Sequence, residues 1–250
     1  MKDKWLALQE IIDDSKNIVF FGGAGVSTES DIPDFRSEKG LYQAKRTYGR
    51  SPEEMISHSF FLADTETFYD YYKNNMVYPR AEPNKAHLAL AQLEREGKLS
   101  AVVTQNIDGL HQKAGSRNVF EVHGSVQRNF CMNCGADYDL DFVLDEKNCV
   151  GSIPHCNKCD GIVKPDVVLY EEALDDQVIA AAVDAIKNAD TLIIGGTSLV
   201  VYPAASFVNY FGGDKIVLIN KSKAAGHMRV DLEINDPIGE VLGEVVFIPK

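Results

Sequence analysis

The run Thr104-Gln105-Asn106-Ile107-Asp108-Gly109-Leu110-His111 packs two amides and a carboxylate into one short stretch. It follows Ala101-Val102-Val103, an apolar run that reads as a buried strand. A parallel strand that ends this way delivers the set to the carboxyl edge of its sheet, where open α/β sheets bind ligands. Gln105, Asn106 and Asp108 offer many donors and acceptors but one charge, which suits recognition of hydroxyls and amides better than acid hydrolysis. His123 is the second candidate. Val119-Phe120-Glu121-Val122 reads as a strand that ends at His123-Gly124-Ser125, so the imidazole shares that edge and can act as a general base near neutral pH. Taken singly, these residues are ordinary Asx turns and packed histidines; their common edge favours chemistry.

Cys131-Met132-Asn133-Cys134 and Cys156-Asn157-Lys158-Cys159 are two C-x-x-C pairs at the spacing of a four-cysteine zinc site. Four thiolates close the tetrahedron and leave no position for a reactive water, so such a zinc holds shape. A redox dithiol needs only one pair, placed at the start of a sheet helix, and neither pair sits there. Cys149 is left without a role. Gly22-Gly23-Ala24-Gly25 follows a strand as a phosphate-cradling turn does, with Thr28 in the third-glycine position of the usual dinucleotide pattern. Beyond it, Asp31-Ile32-Pro33-Asp34-Phe35-Arg36 offers a guanidinium for a phosphate oxygen and a ring that can cover a reactive group. A surface Asp–Arg pair beside a buried Phe is the alternative.

The elements that must position these groups follow from apolar patterning. Residues 5–14, 83–97 and 174–188 have helical spacing. Strand candidates are 18–21, 101–104, 118–122, 166–169, 191–195 and 216–219, and their alternation with helices implies βαβ units and a parallel sheet. Two stretches break this rhythm. Residues 36–82, rich in Tyr and Phe, form a helical excursion without a convincing strand. Residues 127–161 have little apolar periodicity, so metal is expected to replace a core there. The expected organisation is a nucleotide-binding α/β body carrying a small module inserted in two pieces.

At 250 residues with 45% hydrophobic and 25% charged residues, the composition is that of a globular protein. A net charge of -12 argues against nucleic acid and fits basic partners. No apolar run reaches membrane-spanning length, and Met1-Lys2-Asp3-Lys4-Trp5 leads into an acidic helix rather than a signal peptide. The expectation is a cytoplasmic monomer in a reducing compartment.

Together, Gly23-Ala24-Gly25-Val26-Ser27, Ile32-Pro33-Asp34-Phe35-Arg36, Thr104-Gln105-Asn106-Ile107-Asp108, His123-Gly124, the two cysteine pairs, Lys164-Pro165-Asp166-Val167-Val168, Gly196-Thr197-Ser198-Leu199 and Ile219-Asn220 resemble the sirtuins, NAD-dependent protein-lysine deacylases. The resemblance spans about Asn17 to Val245. It implies a single catalytic domain over 1–250: a Rossmann-like large part (1–35, 83–126 and 162–250) and a small zinc-binding and helical part (36–82 and 127–161). It implies NAD as a consumed co-substrate and one structural zinc on Cys131, Cys134, Cys156 and Cys159. By the same resemblance, Ala24, Thr28, Phe35 and Arg36 wrap the pyrophosphate and nicotinamide ribose. Gln105 and Asn106 hold that ribose, and Ile107 and Asp108 grip the nicotinamide carboxamide. Thr197, Ser198, Asn220 and Ile238 meet the adenosine end. Val168 lies on the strand that pairs with an acetyl-lysine peptide, and His123, with Asn106, serves catalysis. The implied products are nicotinamide, O-acetyl-ADP-ribose and free lysine.

Two departures stand out. Asp31 occupies a position where the family usually has glycine, and Tyr170-Glu171 replaces its Phe-Gly. In the desuccinylating branch a Tyr and an Arg three residues later hold the acyl carboxylate; here Tyr69 is followed by Tyr72, which cannot give a charged bidentate grip. That predicts removal of acetyl or other neutral acyl groups and weak desuccinylation, with plain core packing as the other use of these rings. The alternatives are an ADP-ribosyltransferase or NAD hydrolase using the same pocket, a non-catalytic zinc-bearing scaffold, and a hydride-transferring dehydrogenase, against which the Asp31-Ile32-Pro33 intrusion speaks.

Overall fold

A computed structural model describes residues 2–34, 45–221 and 229–247; Phe35 and Arg36 lie outside the described residues. The apolar run Ile18-Val19-Phe20-Phe21 can be buried only by a strand covered on both faces. It forms β1 (Ile18–Gly22), buried throughout, after helix α1 (Lys2–Asp14). Ile18 and Phe20 enter one core with Leu8, Leu90 and Val241, while Val19 and Phe21 enter the other with Ala182, Ile186 and Phe207. A pleated strand imposes that alternation.

The chain then forms α2 (Pro52–Met55), α3 (His58–Ala63), α4 (Thr65–Asn75) and α5 (Lys85–Arg95). The Asn84 side chain caps α5 by accepting from the Ala86 N–H at 2.9 Å, so this helix starts where the Pro83-Asn84 pair predicts. Next come β2 (Leu99–Thr104), α6 (Leu110–Lys113) and β3 (Val119–Glu121). The cysteine-bearing stretch contributes β4 (Gly124–Cys131), β5 (Asp137–Tyr138), α7 (Leu140–Leu144), β6 (Cys149–Val150) and β7 (Ile153–Pro154). The remainder is β8 (Val163–Val167), α8 (Asp176–Asn188), β9 (Thr191–Gly195), β10 (Lys215–Ile219), β11 (Leu232–Ile234) and α9 (Ile238–Phe247).

Six strands make one sheet in the order β11-β10-β9-β1-β2-β3, and every neighbouring pair is parallel. The α/β, Rossmann-like expectation is therefore met. The sequence runs outward from β1 on both sides, so the loops leaving β1 and β9 face each other at the carboxyl edge, the usual ligand position in such sheets.

Two expectations need correction. The strand proposed at 166–169 lies at Val163–Val167 and does not join the parallel sheet; it pairs antiparallel with β4, which in turn pairs with β5. The segment between β4 and β8, helix α7 included, packs into a core with Val126 and Val163 rather than crossing a face of the parallel sheet. Nor does metal replace a core across 127–161. Val126, Leu140, Val143 and Val163 pack with Met55, Phe61, Phe68, Tyr69 and Tyr72 into a third core. The Phe61 and Phe68 rings meet edge-on at 5.0 Å and Phe68 stacks on Tyr72 at 5.9 Å, pairs worth about 1 kcal/mol each beyond their area. Described residues of the helical excursion and of the cysteine stretch thus share one core.

Candidate active site

The turn after β1 is a tight helical segment, Ala24–Ser30. It can approach the β9 loop only because both carry glycine. The Gly25 N–H donates to Gly196 O at 2.8 Å. A Cβ on Gly25 would stand 2.7 Å from Gly196 Cα, and Gly196 itself has φ +59. The glycines therefore make a crossing of two backbones, as well as a cradle with no side chain where a pyrophosphate would lie.

Beneath this crossing is a cavity of about 220 Å³. It gathers Ala24, Gln105, Asn106, Ile107, Asp108, His123 and Val168 from four separate chain segments. The amide-rich run is anchored on all sides: Gln105 N–H donates to Gly22 O at 3.0 Å, Val122 N–H to Thr104 O at 3.0 Å, and Val126 N–H to Ile107 O at 2.9 Å. His123 Nδ1 lies 2.9 Å from Gln105 O. A carbonyl oxygen can only accept, so the neutral ring carries its proton on Nδ1 and its lone pair on Nε2. The Val168 N–H donates to His123 O at 2.9 Å, which fixes the Val168 segment against the histidine.

One residue at the centre of the site was not singled out in the sequence. Ser27, 1% exposed, donates its hydroxyl to Asp108 Oδ2 at 2.6 Å and accepts from Asn106 Nδ2 at 3.0 Å. It orients both. Burial pushes the Asp108 carboxyl above its usual range, and the Ser27 hydroxyl and the Leu110 N–H at 2.9 Å pull it back. The signal for Ser27 was its place at the end of Gly23-Ala24-Gly25-Val26-Ser27, directly over the Asp108 turn.

The other described site candidates do not line this cavity. Thr197 joins it indirectly: Gln105 Nε2 donates to Thr197 Oγ1 at 3.1 Å, and Asn220 Nδ2 to Thr197 O at 3.2 Å. Ser198 is exposed beside them. Thr28 turns back to donate to Gly25 O at 2.9 Å. Ile238 begins α9 and is buried in the core at the end of β9. Tyr69 and Tyr72 are fully buried and absent from the cavity wall; Asn75 and Met76 of the same segment line it instead. Both departures from the family pattern fall on left-handed backbone, Asp31 at φ 61 and Glu171 at φ 77, where glycine is the unstrained choice.

The Sγ atoms of Cys131, Cys134, Cys156 and Cys159, none of which lines the cavity, lie within 4.8 Å of one another. Cys131 and Cys159 sulfurs are 3.4 Å apart, Cys134 and Cys156 3.6 Å. A tetrahedral zinc with bonds of about 2.3 Å sets its sulfurs about 3.8 Å apart, so the donor set fits that ion. The Asn133 and Lys158 N–H groups each point at a cysteine sulfur at 3.4 Å, the support that thiolate charge requires. These residues would hold the zinc, and a closed four-sulfur site supplies structure only.

Residues 23–203 match the Sir2 family. A protein of Clostridium perfringens named NAD-dependent protein deacetylase is 61% identical over 98% of this chain and its own full length. One of the same name from Staphylococcus epidermidis is 42% identical over 96% of this chain and 95% of its own. Among solved structures, one described as a Sir2 homolog–NAD complex superposes with a TM-score of 0.82 at 37% identity, covering 96% of this chain and 92% of that one. Another, Sir2 bound to acetylated peptide, gives 0.83 at 32% identity over 96% of both chains. With these matches running nearly end to end, and the amide run, histidine and cysteine cluster in place, this chain belongs to the Sir2 family.

Proposed function

We propose that this protein is an NAD-dependent protein-lysine deacetylase that transfers the acetyl group to ADP-ribose. The observation that carries the reading is the convergence of Asn106, Asp108 and His123 on one cavity at the carboxyl edge, beside a glycine crossing free of side chains. NAD supplies the leaving nicotinamide and the ribose hydroxyls that receive the acyl group.

The residues divide the work. Asp108, fixed by Ser27 and the Leu110 N–H, accepts from the nicotinamide amide. Asn106, its amide directed by Ser27, and Gln105 hold the adjoining ribose. The acetyl oxygen of the substrate lysine displaces nicotinamide from the ribose carbon. His123, protonated on Nδ1 against Gln105 O, then uses Nε2 to take the proton released from a ribose hydroxyl as that oxygen attacks the acyl carbon, and one water completes the release of free lysine and O-acetyl-ADP-ribose. Ile32, Ile107 and Leu169 line the cavity with apolar surface, which keeps water from the reacting carbon. Thr197, Ser198 and Asn220 lie beyond Gln105 and receive the adenosine end; Ala24 and Thr28 flank the phosphates, and Ile238 supports that end from the core. Val168 is the residue alongside which the substrate backbone docks.

No Lys or Arg occurs among the described residues lining the cavity, which supports a preference for neutral acyl groups. We assign the working unit to one chain, in a reducing compartment where the four thiols persist, divided into the Rossmann-like and zinc-helical parts expected from sequence. Incubation with matched acetyl-lysine and succinyl-lysine peptides, with and without NAD, tests the reading. Deacetylation that requires NAD and is weak on succinyl-lysine is expected. Acetyl release without NAD would overturn it.

A further inference from the structure

The mouth of the cavity is formed in part by Val168–Glu172 and Val201–Pro203. Tyr170 and Tyr202 are 37% and 72% exposed there, so a polypeptide entering the cavity passes these side chains. Glu171 stands among them, exposed, with φ 77. A residue with a Cβ is rarely kept in that conformation unless its surroundings over-determine it. Here they do. The Ser59 N–H donates to Glu171 Oε2 at 2.8 Å and the Ser59 hydroxyl to Oε1 at 2.9 Å. The backbone on either side is clamped as well: Tyr170 N–H donates to Ile56 O at 3.0 Å, His58 N–H to Tyr170 O at 2.9 Å, and Glu172 N–H to Leu169 O at 3.0 Å.

The result is a carboxylate held in one place by neutral donors. Its neighbour Glu172 is already matched, by Lys164 at 3.3 Å and His58 at 2.9 Å. Among the described residues no cation lies within ion-pair distance of Glu171. An exposed charge fixed at the entrance, on a chain of net charge -12, attracts cationic and repels anionic side chains that come near it. Preorganisation by Ser59 means that little ordering is needed when a substrate arrives.

We infer that Glu171, positioned by Ser59, is a specificity-determining residue that selects acetyl-lysine segments carrying Arg or Lys beside the modified lysine. This rests on the deacetylase reading and names its substrate class: acetylated basic segments.

Three acetyl-lysine peptides, identical except for Arg, Gln or Glu at both positions flanking the acetyl-lysine, test it through their kcat/KM ratios. Unit charges a few ångströms apart in a largely aqueous setting give about a fivefold effect each way. The wild-type Arg-to-Glu ratio is therefore expected to be about tenfold or more at low salt, shrinking towards unity near 0.5 M salt. Glu171→Gln removes the charge and Glu171→Gly removes it while relieving the left-handed backbone. Both are expected to bring the ratio within about twofold, whereas Ser59→Ala keeps the charge and the backbone N–H bond, loses the hydroxyl that fixes the second carboxylate oxygen and gives an intermediate ratio. Equal wild-type rates for the three peptides would overturn the inference, as would a ratio that survives in both Glu171 variants. NAD-dependent turnover of none of the peptides would instead bring down the deacetylase reading and this inference with it.

Discussion

Ser27→Ala is the most informative single perturbation of the site. The hydroxyl is buried and makes two hydrogen bonds, one to a carboxylate and one from an amide. A neutral bond contributes about 1 kcal/mol and one to a charged group about 1.5–3 kcal/mol. Asp108 is half-buried, so water can partly replace the lost donor, and the expected loss of stability is towards the low end, about 2 kcal/mol. For a chain of this size that lowers Tm by roughly 4–8 °C. The pH dependence has a definite sign. Burial already raises the folded-state pKa of Asp108 and Ser27 opposes it, so the variant raises it further. A carboxyl with a raised folded pKa favours folding fully below its unfolded value, and that benefit is lost as pH rises through the folded value. The stability deficit of Ser27→Ala should therefore be larger at neutral pH than in acid. Urea denaturation at both pH values, with a carbon-detected NMR titration of Asp108, measures this. An unchanged Asp108 titration together with wild-type stability would refute the role assigned to Ser27.

The other predictions concern the module and the buried polar groups. Tyr69 donates its hydroxyl to Val163 O, whereas the buried Tyr72 hydroxyl has no partner among the described residues; thus Tyr69→Phe should cost about 1 kcal/mol and Tyr72→Phe should be neutral or stabilising, as urea midpoints will tell. His87 is buried and its pKa is lowered to about 4 by desolvation, so the unfolded chain takes up a proton first on acidification. Its share of the stability should be full above about pH 6.5 and fall by about 3 kcal/mol as pH drops towards 4; His87→Gln, which cannot protonate there, removes that share and leaves the further slope of His111, which burial and the neighbouring His87 also hold well below the usual range. One zinc per chain is expected by elemental analysis. Its removal should raise hydrogen exchange in β4, β7 and α7 while β1 and β9 stay protected; unchanged exchange after complete removal would contradict a structural role.

Much of the site was legible because parallel strands announce themselves and deliver whatever follows them to one edge. Ile18–Phe21, Ala101–Val103 and Thr191–Gly195 are apolar runs, and the chemistry-bearing residues come directly after them. The antiparallel pair β4 and β8 was not read correctly because Gln127, Arg128, Lys164 and Asp166 interrupt any apolar alternation; Arg128 bridges Glu121 at 2.6 Å and Asp166 at 2.8 Å instead. β11 and α9 were missed, the first for its shortness and the second because Gly239 and Gly243 weaken its helical signal. The module's core escaped detection since its apolar residues are scattered over two distant stretches and meet only in three dimensions. Glu171 was noticed as a departure from a family pattern, yet its positive φ and its clamp to Ser59 are visible only in the fold.

Deacetylase chemistry is tested most directly by mass balance. Purified wild-type protein and His123→Ala are incubated with NAD and an acetyl-lysine peptide, and all products are quantified by mass spectrometry. Equal amounts of nicotinamide, deacetylated peptide and O-acetyl-ADP-ribose from the wild type, with the acetyl transfer lost in His123→Ala, are the predicted result. Nicotinamide release without acetyl transfer would contradict it and point to NAD hydrolysis or ADP-ribosyl transfer.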